Sequence, residues 1–72
     1  MNILYEAALK HFQSKEFEAL AALNIYLNNP SGVADHSNFL QEVIEWTQKL
    51  SDARENIGTL KSLLNTGETN NE

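Results

Sequence analysis

From Phe39 onward the apolar residues Phe39, Val43, Trp46, Leu50, Ala53, Ile57, Leu60 and Leu64 are separated by alternating steps of four and three. That rhythm is the seam of a helix packing lengthwise along another helix. The second half of the chain therefore needs a helical partner, and the first half offers one. Tyr5, Leu9, Phe12, Glu16, Ala19, Leu23 and Tyr26 repeat the spacing, with a single charged member.

In an antiparallel hairpin the sequence numbers of facing residues add to a constant. Tyr26 with Phe39, Leu23 with Val43, Ala19 with Trp46, Glu16 with Leu50, Phe12 with Ala53, Leu9 with Ile57 and Tyr5 with Leu60 all give 65 or 66. The largest side chain, Trp46, meets Ala19, and Phe12 meets Ala53. Large against small is what a close-packed interior requires. Half the constant falls between Gly32 and Val33, inside the stretch NPSGVADHS.

The residues of that stretch independently signal a bend. Pro30 lacks an N–H and its ring clashes with the preceding turn, so it cannot continue a helix. Asn28 and Asn29 suit a fraying helix end, and Gly32 tolerates a positive φ. Asp35 is the first choice of N-cap for the second helix and Ser37 the second, since either side chain accepts an orphan N–H.

The expected fold is all-α: an antiparallel two-helix hairpin over residues 1–66, with a helix from about 2 to 28, a bend at 29–35 and a helix from about 36 to 65. The polar tail at 67–72 has no apolar anchor and is expected to be disordered. Gly58 costs ~1 kcal/mol relative to alanine within a helix. By the same register it lies opposite Ala7 and Ala8, which suggests either a close helix approach or a kink. A rival reading takes Ala8, Phe12, Phe17, Leu20 and the closing Pro30 as a tetratricopeptide-like unit, with a break near Ser14–Lys15. One unit cannot form a solenoid alone.

A hairpin of 72 residues has little core to bury. Such chains rarely gain more than ~3–5 kcal/mol from it and commonly rely on a disulfide, a metal or an oligomer. With no cysteine, disulfides, thiolate metal sites and cysteine nucleophiles are excluded. Ten acidic against five basic residues give a net charge of −5, and the basic residues are scattered rather than clustered, so no nucleic acid partner is expected. The start MNILYEAALK has no basic opening, and Glu6 and Lys10 interrupt its apolar residues. Neither a leader nor a membrane span is expected, and the location expected is cytoplasmic.

Reactive groups are few. No serine sits in a strained G-x-S-x-G setting. Asp35–His36 is the one adjacent acid–imidazole pair, and sequence neighbours seldom have dyad geometry. No His-x-x-x-His or Glu-x-x-His spacing occurs. His11 and His36 would stand on the order of 35 Å apart, at ~1.5 Å per residue. No catalytic residue, cofactor or metal ligand is assigned, and an enzyme is not expected. Glu16, within the seam, has three readings: leaning to solvent, pairing with Lys49 or Arg54, or fixing the register of an oligomer.

Apolar residues outnumber what one hairpin can cover. Leu20, Leu27, Leu40 and Ile44 flank the seam near the bend, and Phe17 and Ile25 lie further round the first helix. Exposed patches of this kind mark association. Phe17, Leu20, Leu27, Leu40 and Ile44 are therefore the candidate interface, covered by a second copy in a four-helix bundle or by another protein.

The segments LYEAALKHF, LNIYLNN and GVADHSNFLQEV resemble a group of small uncharacterised proteins of T-even-like tailed bacteriophages, marine ones in particular. The likeness covers roughly residues 4 to 60. It implies a viral accessory protein acting in the bacterial cytoplasm and brings no activity, cofactor or site residue with it. The function expected is a non-enzymatic interaction or assembly module that binds or modulates a host protein. A tetratricopeptide-like adaptor fragment is the alternative, and a small hydrolase or metal protein a distant one.

Overall fold

A computed structural model describes residues 2–28 and 38–69, with side chains described as far as residue 64. Two helices make up the fold, α1 over Ile3–Asn28 and α2 over Phe39–Thr69, and no strand occurs among the described residues. Pro30, Gly32, Asp35, His36 and Ser37, the residues on which the bend and its cap were expected, lie outside the described residues.

Each helix opens on an asparagine. Asn2 accepts the Tyr5 N–H on its side-chain Oδ1 at 3.1 Å, and its carbonyl accepts the Glu6 N–H at 3.0 Å. The Tyr5 N–H is one of the donors that a helix start leaves orphaned, and the Glu6 bond is the first of the helical ladder. The Asn38 carbonyl accepts the Glu42 N–H at 2.8 Å, at the start of α2 among the described residues. Glu6 and Glu42 place negative charge in the two first turns, where the helix dipole favours it.

At its far end α2 covers the first three residues of the expected tail. No described glycine has a positive φ, so Gly67 does not adopt the left-handed geometry that commonly closes a helix. Residues 70–72 lie outside the described residues.

The helices run antiparallel. Tyr26 meets Phe39 edge to face, their ring centroids 5.6 Å apart, while ten residues earlier on α1 Glu16 meets Arg54, fifteen residues later on α2. The seam is the covered side of both helices. Ala19, Leu23 and Ala53 are buried. Tyr5, Leu9, Phe12, Tyr26, Phe39, Val43, Trp46, Leu50, Ile57 and Leu60 are half-buried. That alanines are the deepest residues fits a seam in which small side chains sit beneath large ones.

Three expectations are corrected. Leu64, the last member of the apolar repeat, is half exposed. By the register its partner would be residue 1 or 2, where α1 has run out. Gly58 marks no close approach, for a Cβ built there meets nothing within 4 Å. The break near Ser14–Lys15 that a tetratricopeptide unit needs is absent, because α1 is continuous from Ile3 to Asn28.

A hairpin is only one layer thick, and its dimensions of 54 × 20 × 15 Å show it. The radius of gyration is 16.4 Å, against roughly 11 Å for a globular chain of this length. The accessible surface is 5444 Å², against about 4,500 Å² for a globular monomer of this mass. The excess surface lies on the two broad faces.

Candidate docking face

Two cross-helix bonds tell those faces apart. On one, the Tyr26 hydroxyl donates to Glu42 Oε1 at 3.3 Å. On the other, Arg54 Nε donates to Glu16 Oε2 at 3.0 Å. The Glu16 carboxylate thus takes the second of its three readings, pairing with Arg54. Lys49 is engaged elsewhere, its ammonium 4.2 Å from the centroid of the Trp46 ring.

The Glu16–Arg54 side carries the apolar surplus. Phe17, Leu20, Asn24 and Leu27 repeat at three, four and three along α1, and Leu20 stands one turn beyond Glu16 on the same side. On α2 the residues Leu40, Ile44, Thr47, Ser51, Arg54 and Gly58 repeat at four and three, a second stripe parallel to the seam. Leu40 is 75% exposed, Phe17 71%, Leu27 64%, Ile44 41% and Leu20 37%. All five residues expected to form an interface therefore stand at the surface of the single hairpin.

Two shallow grooves cut this side. One on α1 is lined by Leu20, Leu23, Asn24, Leu27 and Asn28. Asn28 Nδ2 donates to Asn24 Oδ1 at 2.7 Å, so the two amides engage each other and the remaining lining is leucine. The other, on α2, is lined by Thr47, Leu50, Ser51, Arg54 and Glu55. The Thr47 hydroxyl donates to the Val43 carbonyl at 2.7 Å, a bond kept within its own helix. Of the polar residues lining the two grooves, Asn24, Asn28, Thr47 and Arg54 are thus already partnered.

The opposite side is largely polar, although Ile25, seven residues beyond Glu18, is 44% exposed there. Lys15 lies 3.8 Å from Glu18, and Gln41 Nε2 donates to Glu45 Oε2 at 2.9 Å. Burial and the neighbouring Glu42 carboxylate, which also accepts its hydrogen bond, hold the Tyr26 hydroxyl above its ordinary pKa of 10.0. A smaller apolar group, Ile3, Leu4, Leu63 and Leu64, is exposed at the open end. Leu63 and Leu4 were legible in the sequence as apolar residues outside the seam.

Reactive groups do not converge among the described residues. His11 is exposed and stacks edge-on to Phe12 at 5.2 Å. No group of three or more side chains able to hold a metal ion occurs there, and no helix is long and apolar enough to cross a membrane. No family model, no curated protein and no solved structure matches the chain.

Proposed function

We propose that the protein is a non-enzymatic interaction or assembly module whose working part is the apolar face formed by Phe17, Leu20, Leu27, Leu40 and Ile44. One observation carries the reading. Five large apolar side chains stand exposed on one side of a hairpin that buries only Ala19, Leu23 and Ala53 among its described residues. A patch on the order of 600 Å² is at the upper end of what monomers expose, and patches of that size are often functional. The chemistry is that of an apolar helix face docking on another helix or into a groove. In the setting implied by the resemblance to tailed-bacteriophage proteins, that face belongs to an accessory protein in the host cytoplasm, engaging a host protein or a second copy.

Chemical crosslinking in the producing cell tests this reading. Adducts formed by the wild-type chain should vanish in the L27D/L40D variant while circular dichroism retains the helices. Adducts that persist unchanged in a folded variant would mean that the face does not dock.

A further inference from the structure

We propose that the occupant of this face is a second copy of the chain, laid face to face with its bend at the same end, so that Phe17 of each copy enters the Thr47–Ser51–Arg54 groove of the other. The proposal rests on the reading of the face given above and adds the partner and its register.

A two-fold axis running along the hairpin leaves every residue at its own height. The constant that relates α1 to α2 within one hairpin therefore also relates α1 of one copy to α2 of the other. Phe17 then stands at the height of residues 48 and 49, between Thr47 and Ser51. Helical side chains lean toward their own N-terminus, which carries its ring further toward Ser51. Leu40 stands at the height of residues 25 and 26, over the groove lined by Leu23, Asn24 and Leu27. The two most exposed side chains of the patch thus face the two grooves, and the two-fold axis repeats both contacts.

Area and charge agree with this occupant. Taking roughly 200 Å² for a fully exposed large side chain, the five residues present on the order of 600 Å². Asn24, Thr47 and Ser51 extend that toward the ~800 Å² per partner of a standard stable interface. The chain carries a net charge of −5, yet the Glu16–Arg54 pair beside the grooves is neutral. At the same heights Lys10 comes level with Glu55, and Glu6 comes within two residues of Lys61, opposite charges in both cases. Stacking at full overlap with the bends at opposite ends would instead lay Leu20 and Leu27 over Glu6, Lys10 and Gln13.

Light scattering across a concentration series, combined with a spin-label distance, tests the arrangement. The chain has no cysteine, so Thr59→Cys, exposed and at the open end, takes a single nitroxide. Expected are a dimer and a label separation of roughly 20–30 Å, the width of two helix layers. Phe17→Ala and Leu40→Ala should each weaken dimerisation at least tenfold with helicity kept. Ile25→Ala, exposed but off the stripe, should leave it unchanged.

A monomer at every concentration overturns the second copy as occupant, while leaving the face free to dock a different protein. With the bends at opposite ends Thr59 of each copy would lie about ten residues, ~15 Å, from the centre of the stack, so a label separation of roughly 35 Å or more overturns the register. A dimer indifferent to both Phe17→Ala and Leu40→Ala overturns the face. Should either variant fail to fold, the distance measured on the Thr59→Cys chain still decides.

Discussion

Two stripes run along each helix with the same alternation of four and three, and they end in opposite environments. The seam stripe holds Ala19, Leu23 and Ala53, all buried. The flanking stripe holds Phe17, Leu20 and Leu27 on α1 and Leu40 and Ile44 on α2, all exposed. The residue types overlap, and leucine occurs in both. What differs is that the seam finds its cover within the chain, and the flank does not. Periodicity thus reports that a helix has an apolar side, and only the count of available partners reports whether that side is satisfied.

The sharpest way to break the comparison is to shorten one leucine in each stripe. Leu23 is 8% exposed, so Leu23→Ala should cost about 2 kcal/mol or more, the low end of the buried-leucine range because the seam is open at its edges. In a hairpin this small that shifts the thermal midpoint by roughly 8 °C or more, at any protein concentration. Leu27→Ala, at 64% exposed, should move a dilute sample by less than ~0.5 kcal/mol. Its effect should grow as concentration rises, and a loss equal to that of Leu23→Ala at high dilution would erase the distinction between the stripes.

Gly58 belongs to the flanking stripe of α2 and is the next largest effect. Nothing lies within 4 Å of a Cβ added there, so Gly58→Ala gains helix propensity without a clash. Thermal melting should show a stabilisation of about 1 kcal/mol. Destabilisation would mean that another molecule already approaches the backbone at that point.

Much of the seam was legible because its evidence is internal to the chain. Two periodic stripes and a constant sum put Tyr26 beside Phe39, and the ring contact at 5.6 Å is there. Where the sequence misled, the cause is local. Leu64 continues the repeat past the last residue of α1 able to cover it, and spacing alone does not register where a partner ends. The Glu16 carboxylate had two basic candidates within reach, and the aromatic ring of Trp46 engaged one of them. The exposed apolar face was legible as a surplus of leucines, but what covers it is not a property of this chain's own contacts.

The two cross-helix bonds offer smaller effects, one on each face. Arg54→Ala removes the ion pair to Glu16 beside the exposed apolar stripe. With Arg54 56% and Glu16 26% exposed in the single hairpin, solvent screens the pair, and in a dilute sample the cost should stay within about 0–1 kcal/mol and shrink in high salt. A larger, salt-independent loss that appears only at high protein concentration would place Arg54 within an interface between copies.

The smallest effect belongs to the polar face. Burial and Glu42 raise the Tyr26 pKa above 10.0, which means the folded state favours the protonated phenol that donates to Glu42. A group whose folded pKa is raised contributes stability that is fully present below its unfolded value and is lost as pH rises through the folded one. The contribution is therefore complete at neutral pH and disappears only in alkaline solution above about pH 10. Tyr5, also a seam tyrosine, makes no such bond to a carboxylate among the described contacts, so Tyr26→Phe alone should remove this part of the alkaline decline. Parallel urea melts of wild type and Tyr26→Phe at pH 7 and pH 11 measure it, and the two proteins should differ less in stability at pH 11 than at pH 7. An equal difference at both values would show that the bond to Glu42 contributes nothing and that the Tyr26 ring acts through its contact with Phe39 alone.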